Sequence, residues 1–103
     1  MLDTRRLIVL LGAMLVPGAA FASADLARSK NCVACHHTER RVIGPAFTAI
    51  AGRYDNDDAN VRILSERIIA GTGGHWGPTP MPPQSSLSQE EAEALVRWIL
   101  SLR

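Results

Sequence analysis

The spacing of apolar residues along the chain predicts a helical protein. Val61, Leu64 and Ile68 recur at steps of three and four residues, so they share one face of a helix that runs from about Asp58 to Ala70. No stretch alternates between apolar and polar residues for long enough to indicate a strand. We therefore expect an all-α fold. A second apolar stripe predicts a C-terminal helix, with the members Ala92, Leu95, Val96, Ile99 and Leu102.

Residues that begin and end helices support both predictions. Ser88-Gln89-Glu90-Glu91 fits a capping box, and Leu87 is placed to pack against Ala92 as a hydrophobic staple. The segment 55–58 (DNDD) supplies N-cap candidates for the helix predicted from about Asp58 to Ala70. Gly71 is a natural C-terminal stop for that helix.

Two shorter helices and one long loop complete the predicted organisation. A helix from Asp25 to Cys35 can be capped by Asp25 or Ser23. A second, from Ala46 to Tyr54, is interrupted by Gly52. Residues 71–83 contain four glycines and four prolines, so we expect neither regular helix nor strand there.

The N-terminal segment has the pattern of an export signal. Arg5-Arg6 precedes the apolar run Leu7–Val16, and Ala22-Ser23-Ala24 carries small residues where a signal peptidase cuts. The run is too short for a permanent membrane anchor, which needs about 20 residues. A core helix is the alternative, but it explains neither the basic start nor the A-S-A sequence. We expect residues 1–24 to be removed, which leaves a single mature domain, 25–103.

Charge and size narrow the class of protein. The full chain has 11 Lys and Arg and 10 Asp and Glu, and removal of residues 1–24 leaves nine of each. These charges are interspersed, whereas nucleic-acid binding requires a clustered basic face. A domain this short has a marginal apolar core and usually gains stability from a disulfide, a metal or a cofactor. A disulfide between Cys32 and Cys35 would close only a tiny loop, so we expect another stabiliser.

Cys32-Val33-Ala34-Cys35-His36 is a C-x-x-C-H sequence, the pattern of covalent haem attachment. Two thiols one helical turn apart can form thioethers with the two vinyl groups on one edge of a porphyrin. His36, the next residue, then supplies an imidazole to the iron as the proximal ligand. Because this attachment takes place outside the cytoplasm, the motif and the export signal support each other and indicate the periplasm.

Two other interpretations of the cysteines have less support. A thioredoxin-like dithiol belongs in a βαβ context, which a helical chain lacks. A zinc site could use Cys32, Cys35, one of His36 and His37, and His75. However, the chain has no second C-x-x-C and no H-x₃₋₅-H sequence.

A haem that only carries electrons needs a second axial ligand, so that no substrate binds to the iron. The candidates in the mature chain are His37, His75 and Met81. His37 directly follows the proximal ligand, which leaves its side chain poorly placed to reach the other haem face. Met81 lies in Pro78–Pro83, where prolines restrict the backbone and hold the thioether in position. We therefore expect Met81 to be the second ligand.

Several segments together resemble one family. C-V-A-C-H is followed after eight residues by G-P-A-F, then by G-x-W-G-P-x-P-M-P-P and an amphipathic helix that contains Trp98. This combination closely resembles the short class I cytochromes c of bacteria, in particular the denitrifier-type periplasmic carriers, over residues 25–103. The resemblance implies an all-α class I cytochrome c fold, in which four to five short helices wrap around one haem c bound covalently through Cys32 and Cys35.

The resemblance also implies roles for individual residues. The carbonyl of Pro45 would accept a hydrogen bond from the other ring nitrogen of His36, which makes that imidazole a better iron donor. Trp76 and Arg67 match positions whose N–H groups hold the buried haem propionate. Gln84 stands where the family commonly has an asparagine that hydrogen-bonds the ligand sulfur. Apolar and aromatic residues that we expect in the haem wall or the core are Phe47, Leu64, Ile68 and Trp98.

The function implied is that of a periplasmic one-electron carrier with His36 and Met81 as iron ligands, and not that of an enzyme. The expected partners are a membrane cytochrome complex as donor and a nitrite reductase or terminal oxidase as acceptor. The expected contact surface is an apolar rim around Cys32–Ala34. We expect a monomer with no nucleic-acid partner and no permanent membrane anchor. The alternatives are a haem enzyme or sensor with an open or labile sixth iron position, and a dithiol or zinc protein.

Overall fold

The computed structural model describes residues 19–103 and contains four α-helices. These are α1 (Ala19–Ser29), α2 (Phe47–Arg53), α3 (Asp58–Ala70) and α4 (Gln89–Leu100), with a short 3₁₀ helix, Cys32–Ala34, after α1. Within the described residues the only extended pairing is an isolated antiparallel bridge. The all-α prediction is confirmed. Residues 1–18 of the predicted signal peptide lie outside the described residues.

Helix α3 begins and ends where the sequence predicts. Asp57 is the N-cap, and its carboxylate accepts a hydrogen bond from the backbone N–H of Asn60 at 2.8 Å. Gly71 ends the helix with a φ of 83°, a left-handed value that glycine adopts without steric cost. The predicted apolar face holds in part, because Val61 is buried while Leu64 and Ile68 are half-buried.

Helix α4 packs against α1, α2 and α3, which makes it the centre of the fold. The predicted capping box is present: Ser88 Oγ accepts from the N–H of Glu91, and Glu91 Oε1 accepts from the N–H of Ser88. Leu87 and Ala92 lie in one buried cluster, as expected for a staple. The stripe differs at its end: Leu102 lies beyond the helix, and Leu100 is buried instead.

The first helix lies six residues earlier than the sequence predicts. It begins at Ala19 and ends at Ser29, so neither Ser23 nor Asp25 is its N-cap. Ser23 is buried inside the helix, and its hydroxyl donates to the carbonyl of Ala94 on α4 at 3.2 Å. Asn31 has a φ of 62°, and this left-handed residue turns the chain away from α1 before the cysteines.

Gly52 does not interrupt α2, contrary to the prediction. Phe47 and Ala51 on the same helix are buried, and their packing against α4 offsets the low helix propensity of one glycine. The last turn is also held from outside, because Arg103 donates from Nε to the carbonyl of Ala51 and from Nη2 to the carbonyl of Tyr54. Tertiary contacts therefore keep this short helix intact.

The segment 71–83 is irregular, as predicted. Its two ends are joined by the antiparallel bridge, with Thr72 N–H donating to the carbonyl of Met81 at 3.0 Å and Met81 N–H donating to the carbonyl of Thr72 at 2.7 Å. Between residues 19 and 103, no helix has the length and apolar character needed to cross a membrane.

Candidate haem-binding site

A single cleft brings the predicted site residues together. It is bordered by the 3₁₀ helix, residues 43–45, helix α3 and the 71–83 loop. All seven residues singled out in the sequence line it, although they come from segments up to 49 positions apart. These are Cys32, Cys35, His36, Pro45, Arg67, Trp76 and Met81.

The inner part of this cleft is almost entirely apolar. Its walls come from all four helices and include Cys32, His36 and Met81. Such a surface disfavours bound water and suits the face of a large aromatic ring system. The other wall residues are Ala27, Phe47, Ile50, Ile68, Leu95 and Ile99.

Both cysteines are half-buried free thiols on the 3₁₀ turn. The turn is closed by the carbonyl of Cys32, which accepts from Cys35 N–H at 3.2 Å and from His36 N–H at 3.0 Å. Burial raises the pKa of the Cys32 thiol, and the neighbouring Cys35 adds to this, while a backbone hydrogen bond acts in the opposite direction. No disulfide joins the two residues.

His36 is held in one tautomer by the backbone. Its Nδ1 lies 2.7 Å from the carbonyl oxygen of Pro45. A carbonyl oxygen only accepts, so Nδ1 carries the proton and Nε2 keeps a free lone pair. The ring also stacks on Phe47, with centroids 5.2 Å apart and planes inclined by 20°. An imidazole fixed in this way is a suitable ligand for a metal.

Because Gly44 has no side chain, the His36 ring can occupy the space beside it. A Cβ at position 44 would lie 2.5 Å from Cε1 of that ring, and within 2.9 Å of both ring nitrogens. The N–H of Gly44 donates to the carbonyl of Cys35 at 2.8 Å, which closes the turn between the motif and Pro45. The glycine is therefore required for the His36–Pro45 contact.

Met81 supplies a thioether to the same cleft. Its backbone is fixed twice, by the bridge to Thr72 and by the prolines on either side, and its side chain is half-buried. Gln84 follows three residues later, but its Nε2 donates to the carbonyl of Pro82 at 3.1 Å. The side-chain amide of Gln84 thus has a backbone partner in this structure.

Arg67 and Trp76 both reach the cleft, but through different contacts. Nη1 of Arg67 donates to the hydroxyl of Tyr54 at 3.4 Å. The indole ring of Trp76 lies under the guanidinium of Arg53, which is 4.6 Å from the ring centroid. Arg67 and Trp76 thus bring a guanidinium and an indole to a cleft whose interior is apolar, and both groups carry N–H donors that a carboxylate would require.

The two remaining histidines differ in position. His75 is exposed and borders the cleft, whereas His37 is exposed outside it, with Nδ1 accepting from the N–H of Glu39 at 3.0 Å. In the part of the chain that the structure describes, no three His, Cys, Asp or Glu side chains group to hold a metal ion.

Sequence reasoning missed Arg41 and Arg53. Arg41 lines the cleft and donates to the carbonyl of Trp76, while Arg53 stacks on the Trp76 ring. Both contacts depend on how distant segments of the chain pack together. The sequence around an exposed arginine does not show which group that arginine will contact.

The donors in the cleft fit an iron porphyrin. An imidazole nitrogen and a thioether sulfur are common axial ligands of haem iron. Two thiols beside them can form the covalent links, and the apolar walls can cover the ring. This fit rests on the set of donors and on the shape of the cleft.

Comparison with known proteins covers most of the chain. The family model described as Cytochrome c matches residues 20–103. Cytochrome c-552 of Nitrosomonas europaea is 46% identical over 91 residues, which cover 88% of each chain. Cytochrome c-551 of Pseudomonas denitrificans is 40% identical over 79 residues, which cover 77% of this chain and 95% of that protein. The crystal structure of wild-type Nitrosomonas europaea cytochrome c552 superposes with a TM-score of 0.74 at 45% identity, over 78% of this chain and 99% of the other.

Proposed function

Because this chain belongs to the cytochrome c family, we propose that it is a periplasmic carrier that passes single electrons from a membrane cytochrome complex to a terminal reductase or oxidase. The family carries one covalently attached haem c, and the C-x-x-C-H sequence supplies Cys32 and Cys35 for the attachment. The chain is therefore a small electron-transfer haem protein. When bound, haem supplies an iron that changes between Fe(III) and Fe(II) by one electron.

The proposed axial ligands are His36 and Met81. The observation that carries this assignment is the hydrogen bond from His36 Nδ1 to Pro45, which leaves Nε2 free, together with the presence of Met81 on the same cleft. A thioether favours the reduced state of the iron, and two protein ligands leave no position for a substrate. Transfer of electrons without other chemistry is the function that such a pair supports.

We assign Arg67 and Trp76 to the haem propionate that lies inside the protein. A carboxylate taken partly out of water needs hydrogen-bond donors, and both side chains line the cleft. Arg67 also reaches the hydroxyl of Tyr54, so its guanidinium is anchored at one end while other N–H groups stay available.

Electrons should enter and leave beside the attachment motif. Val33, Val42 and Ile43 are 53%, 51% and 57% exposed, which is unusual for aliphatic side chains. Val33 adjoins Cys32, and Ile43 itself lines the cleft, so this apolar surface borders the proposed haem edge. Exposed apolar side chains beside the haem edge suit a weak and brief encounter with a redox partner.

The apolar patch can be tested with paired variants. Ile43→Asp should slow electron exchange with a partner several-fold, since it introduces at the edge of the cleft a charge that must be desolvated on contact. Ile63→Asp is the matched control, because Ile63 is an exposed aliphatic residue of α3 that does not border the cleft. Equal rates for the two variants in stopped-flow experiments would place the contact surface elsewhere.

The ligation is tested by spectroscopy of the exported protein. The oxidised form should show the near-infrared charge-transfer band of a sulfur–iron bond, and the reduced form should not bind carbon monoxide. Met81→Ala is the control, since it should lose the band and bind carbon monoxide readily. A wild-type protein that behaves like this control has an open iron position, and the carrier function is then wrong.

Export and attachment are tested by intact mass spectrometry of the periplasmic fraction. The expected mass is that of residues 25–103 plus one haem, because cleavage after Ala24 and two thioether bonds are both proposed. An unmodified mass contradicts haem attachment, and retention of residues 1–24 contradicts the cleavage site.

A further inference from the structure

The loop that carries Met81 is closed on itself. The two hydrogen bonds between Thr72 and Met81 join residues nine positions apart, so the intervening chain forms a ring. His75 and Trp76 lie near the middle of this ring. A contact that holds these two residues therefore restrains Met81 as well, because the loop between Thr72 and Met81 is short and is stiffened by Pro78 and Pro80.

Arg53, at the end of α2, contacts this part of the 71–83 loop in two ways. Its guanidinium lies over the Trp76 indole, 4.6 Å from the ring centroid. Its Nη1 also donates to the carbonyl of His75 at 2.6 Å. One side chain thus engages both a side chain and the backbone of the loop.

Arg41 contacts the same part of the loop from another segment of the chain. It lies in the segment between His36 and Pro45, whose ends are joined by the His36 Nδ1 hydrogen bond. Its Nη2 donates to the carbonyl of Trp76 at 2.9 Å, and the residue itself lines the cleft. This hydrogen bond links the segment of the histidine ligand to the loop of the methionine ligand.

Among residues 19–103, no carboxylate forms an ion pair with either arginine. Among the described residues, the ion pairs use Arg28, Lys30, Arg97 and Arg103, and neither Arg41 nor Arg53 takes part. An exposed arginine normally extends into solvent, because fixing its side chain costs conformational entropy. Both are instead directed to adjacent carbonyls of one loop.

We propose that Arg41 and Arg53 are positioning residues that latch the 71–83 loop and so slow the release of Met81 from the haem iron. The latch rests on the proposed function, since it requires Met81 as a ligand. Opening of the loop must break three contacts that arginine makes, in addition to the Met81–iron bond. The latch therefore keeps the ligands of the iron unchanged during repeated electron transfer.

The test measures how fast an external ligand replaces Met81. Excess cyanide is added to the oxidised holoprotein, and loss of the sulfur–iron band is followed at saturating cyanide, where the rate reports opening of the loop. Arg41→Gln and Arg53→Gln should each open about tenfold faster, which corresponds to ~1.4 kcal/mol. The double variant should open faster than either single variant.

Three controls separate the latch from a general effect of charge. Arg62→Gln removes an exposed arginine of α3 that makes no hydrogen bond in the described structure, and it should open at the wild-type rate. Arg41→Lys keeps a charged donor and should largely restore slow opening. Arg53→Lys keeps the charge but loses the planar stack, so it should restore less.

The outcomes are distinguishable. Equal opening rates for Arg41→Gln, Arg53→Gln and Arg62→Gln overturn the latch while Met81 ligation stands. Absence of the sulfur–iron band from the wild-type protein overturns the ligation and the latch together. Hydrogen exchange of the Met81 amide gives a second readout, and it should accelerate in the two latch variants but not in Arg62→Gln.

Discussion

At the scale of single residues, the chemistry of His36 depends on atoms that are not side chains. The carbonyl of Pro45 selects the tautomer, and the missing side chain of Gly44 leaves room for the ring. Imidazole has two possible donor nitrogens, and a fixed tautomer removes one of them from competition for iron. Backbone geometry thus leaves one defined nitrogen of His36 available to bind a metal.

Exchange of the thioether for an imidazole should change the redox potential. In Met81→His we expect six-coordinate iron with a potential lower by on the order of 100 mV or more, because a nitrogen ligand stabilises Fe(II) less than sulfur does. Spectroelectrochemical titration of the holoprotein measures this shift. An unchanged potential would mean that Met81 is not a ligand.

Addition of one methyl group beside the His36 ring should be costly. Gly44→Ala places a Cβ 2.5 Å from the His36 ring, so the ring or the turn must move, and we expect a loss of about 1–3 kcal/mol in the free energy of unfolding. Gly52→Ala is the control: a Cβ at this position on α2 would meet no atom within 4 Å, and the change should stabilise by about 0.5–1 kcal/mol. Denaturant titration of both holoproteins should give opposite signs, and equal signs would contradict the steric explanation.

At the scale of elements, short polar contacts decide where the helices begin and end. The capping box at Ser88–Glu91 and the N-cap at Asp57 follow local rules and are readable in the sequence. The end of α1 also has a local signal that the prediction passed over, because Asn31 takes the left-handed conformation that often ends a helix. The helix predicted through Cys35 therefore stops at Ser29.

The capping box should make stability depend on pH in the acidic range. The backbone N–H of Ser88 lowers the pKa of Glu91; desolvation opposes this, while Lys30 and the side chain of Ser88 also favour the ionised form. A carboxyl whose pKa is lower when folded stabilises the protein above its unfolded pKa, about 4.3, and this contribution is lost as pH falls through the folded pKa. The Glu91→Gln variant should therefore lose less stability than the wild type when the pH falls from about 6 to roughly 3.

Thermal unfolding as a function of pH measures this effect. Glu90→Gln is the matched control, since Glu90 lies in the same turn but makes no hydrogen bond to Ser88. If the Glu91 and Glu90 variants lose stability equally on acidification, the capping box is not the source of the acid-side slope.

The left-handed residue before the cysteines gives a second test at this scale. Asn31→Ala should lower the free energy of unfolding by about 1 kcal/mol, since alanine has a higher cost at a φ of 62°. Asn31→Gly should be at least as stable as the wild type, because glycine has no Cβ to clash. Guanidinium titration of the holoproteins gives the order, and an alanine variant as stable as the glycine variant would contradict it.

At the scale of the whole molecule, the core and the cleft share their walls. Leu95 and Ile99 on α4 are buried, and both also line the inner cleft. Phe47 does the same from α2, where it contacts His36 and Trp98. The domain is small, so a group bound in this cleft completes the core in addition to its redox role.

Loss of attachment should therefore unfold the protein. A Cys32→Ala/Cys35→Ala variant cannot form thioethers, and we expect it to lose most of its helical far-UV circular dichroism and its cooperative melting. The wild-type holoprotein from the same periplasmic preparation is the reference. A haem-free variant with native helicity would show that the apolar core is sufficient alone. Cys32→Ala by itself should reduce the yield of holoprotein, which the haem absorbance of the preparation measures.

Part of this protein follows from local sequence and part does not. The bounds of α3, the capping box of α4, the irregular loop and the C-x-x-C-H sequence depend on neighbours within a few residues, so they were predictable. The motif and the proline-rich segment predicted that His36 and Met81 share one haem, whereas the positions of Pro45, Arg67 and Trp76 beside it were expected only from the resemblance to a family. The continuity of α2 across Gly52 was mispredicted, because burial against α4 outweighs the local propensity of glycine.

The sequence by itself determined the helical class, the attachment motif and the identity of the candidate iron ligands, because periodicity and motif spacing act within one or two turns. Only the tertiary structure decided the contacts of Arg41 and Arg53 with the Met81 loop and of Arg103 with the end of α2. Those contacts use backbone carbonyls, which every residue possesses. A sequence cannot show which of these carbonyls will face a given donor, since that depends on how distant segments pack.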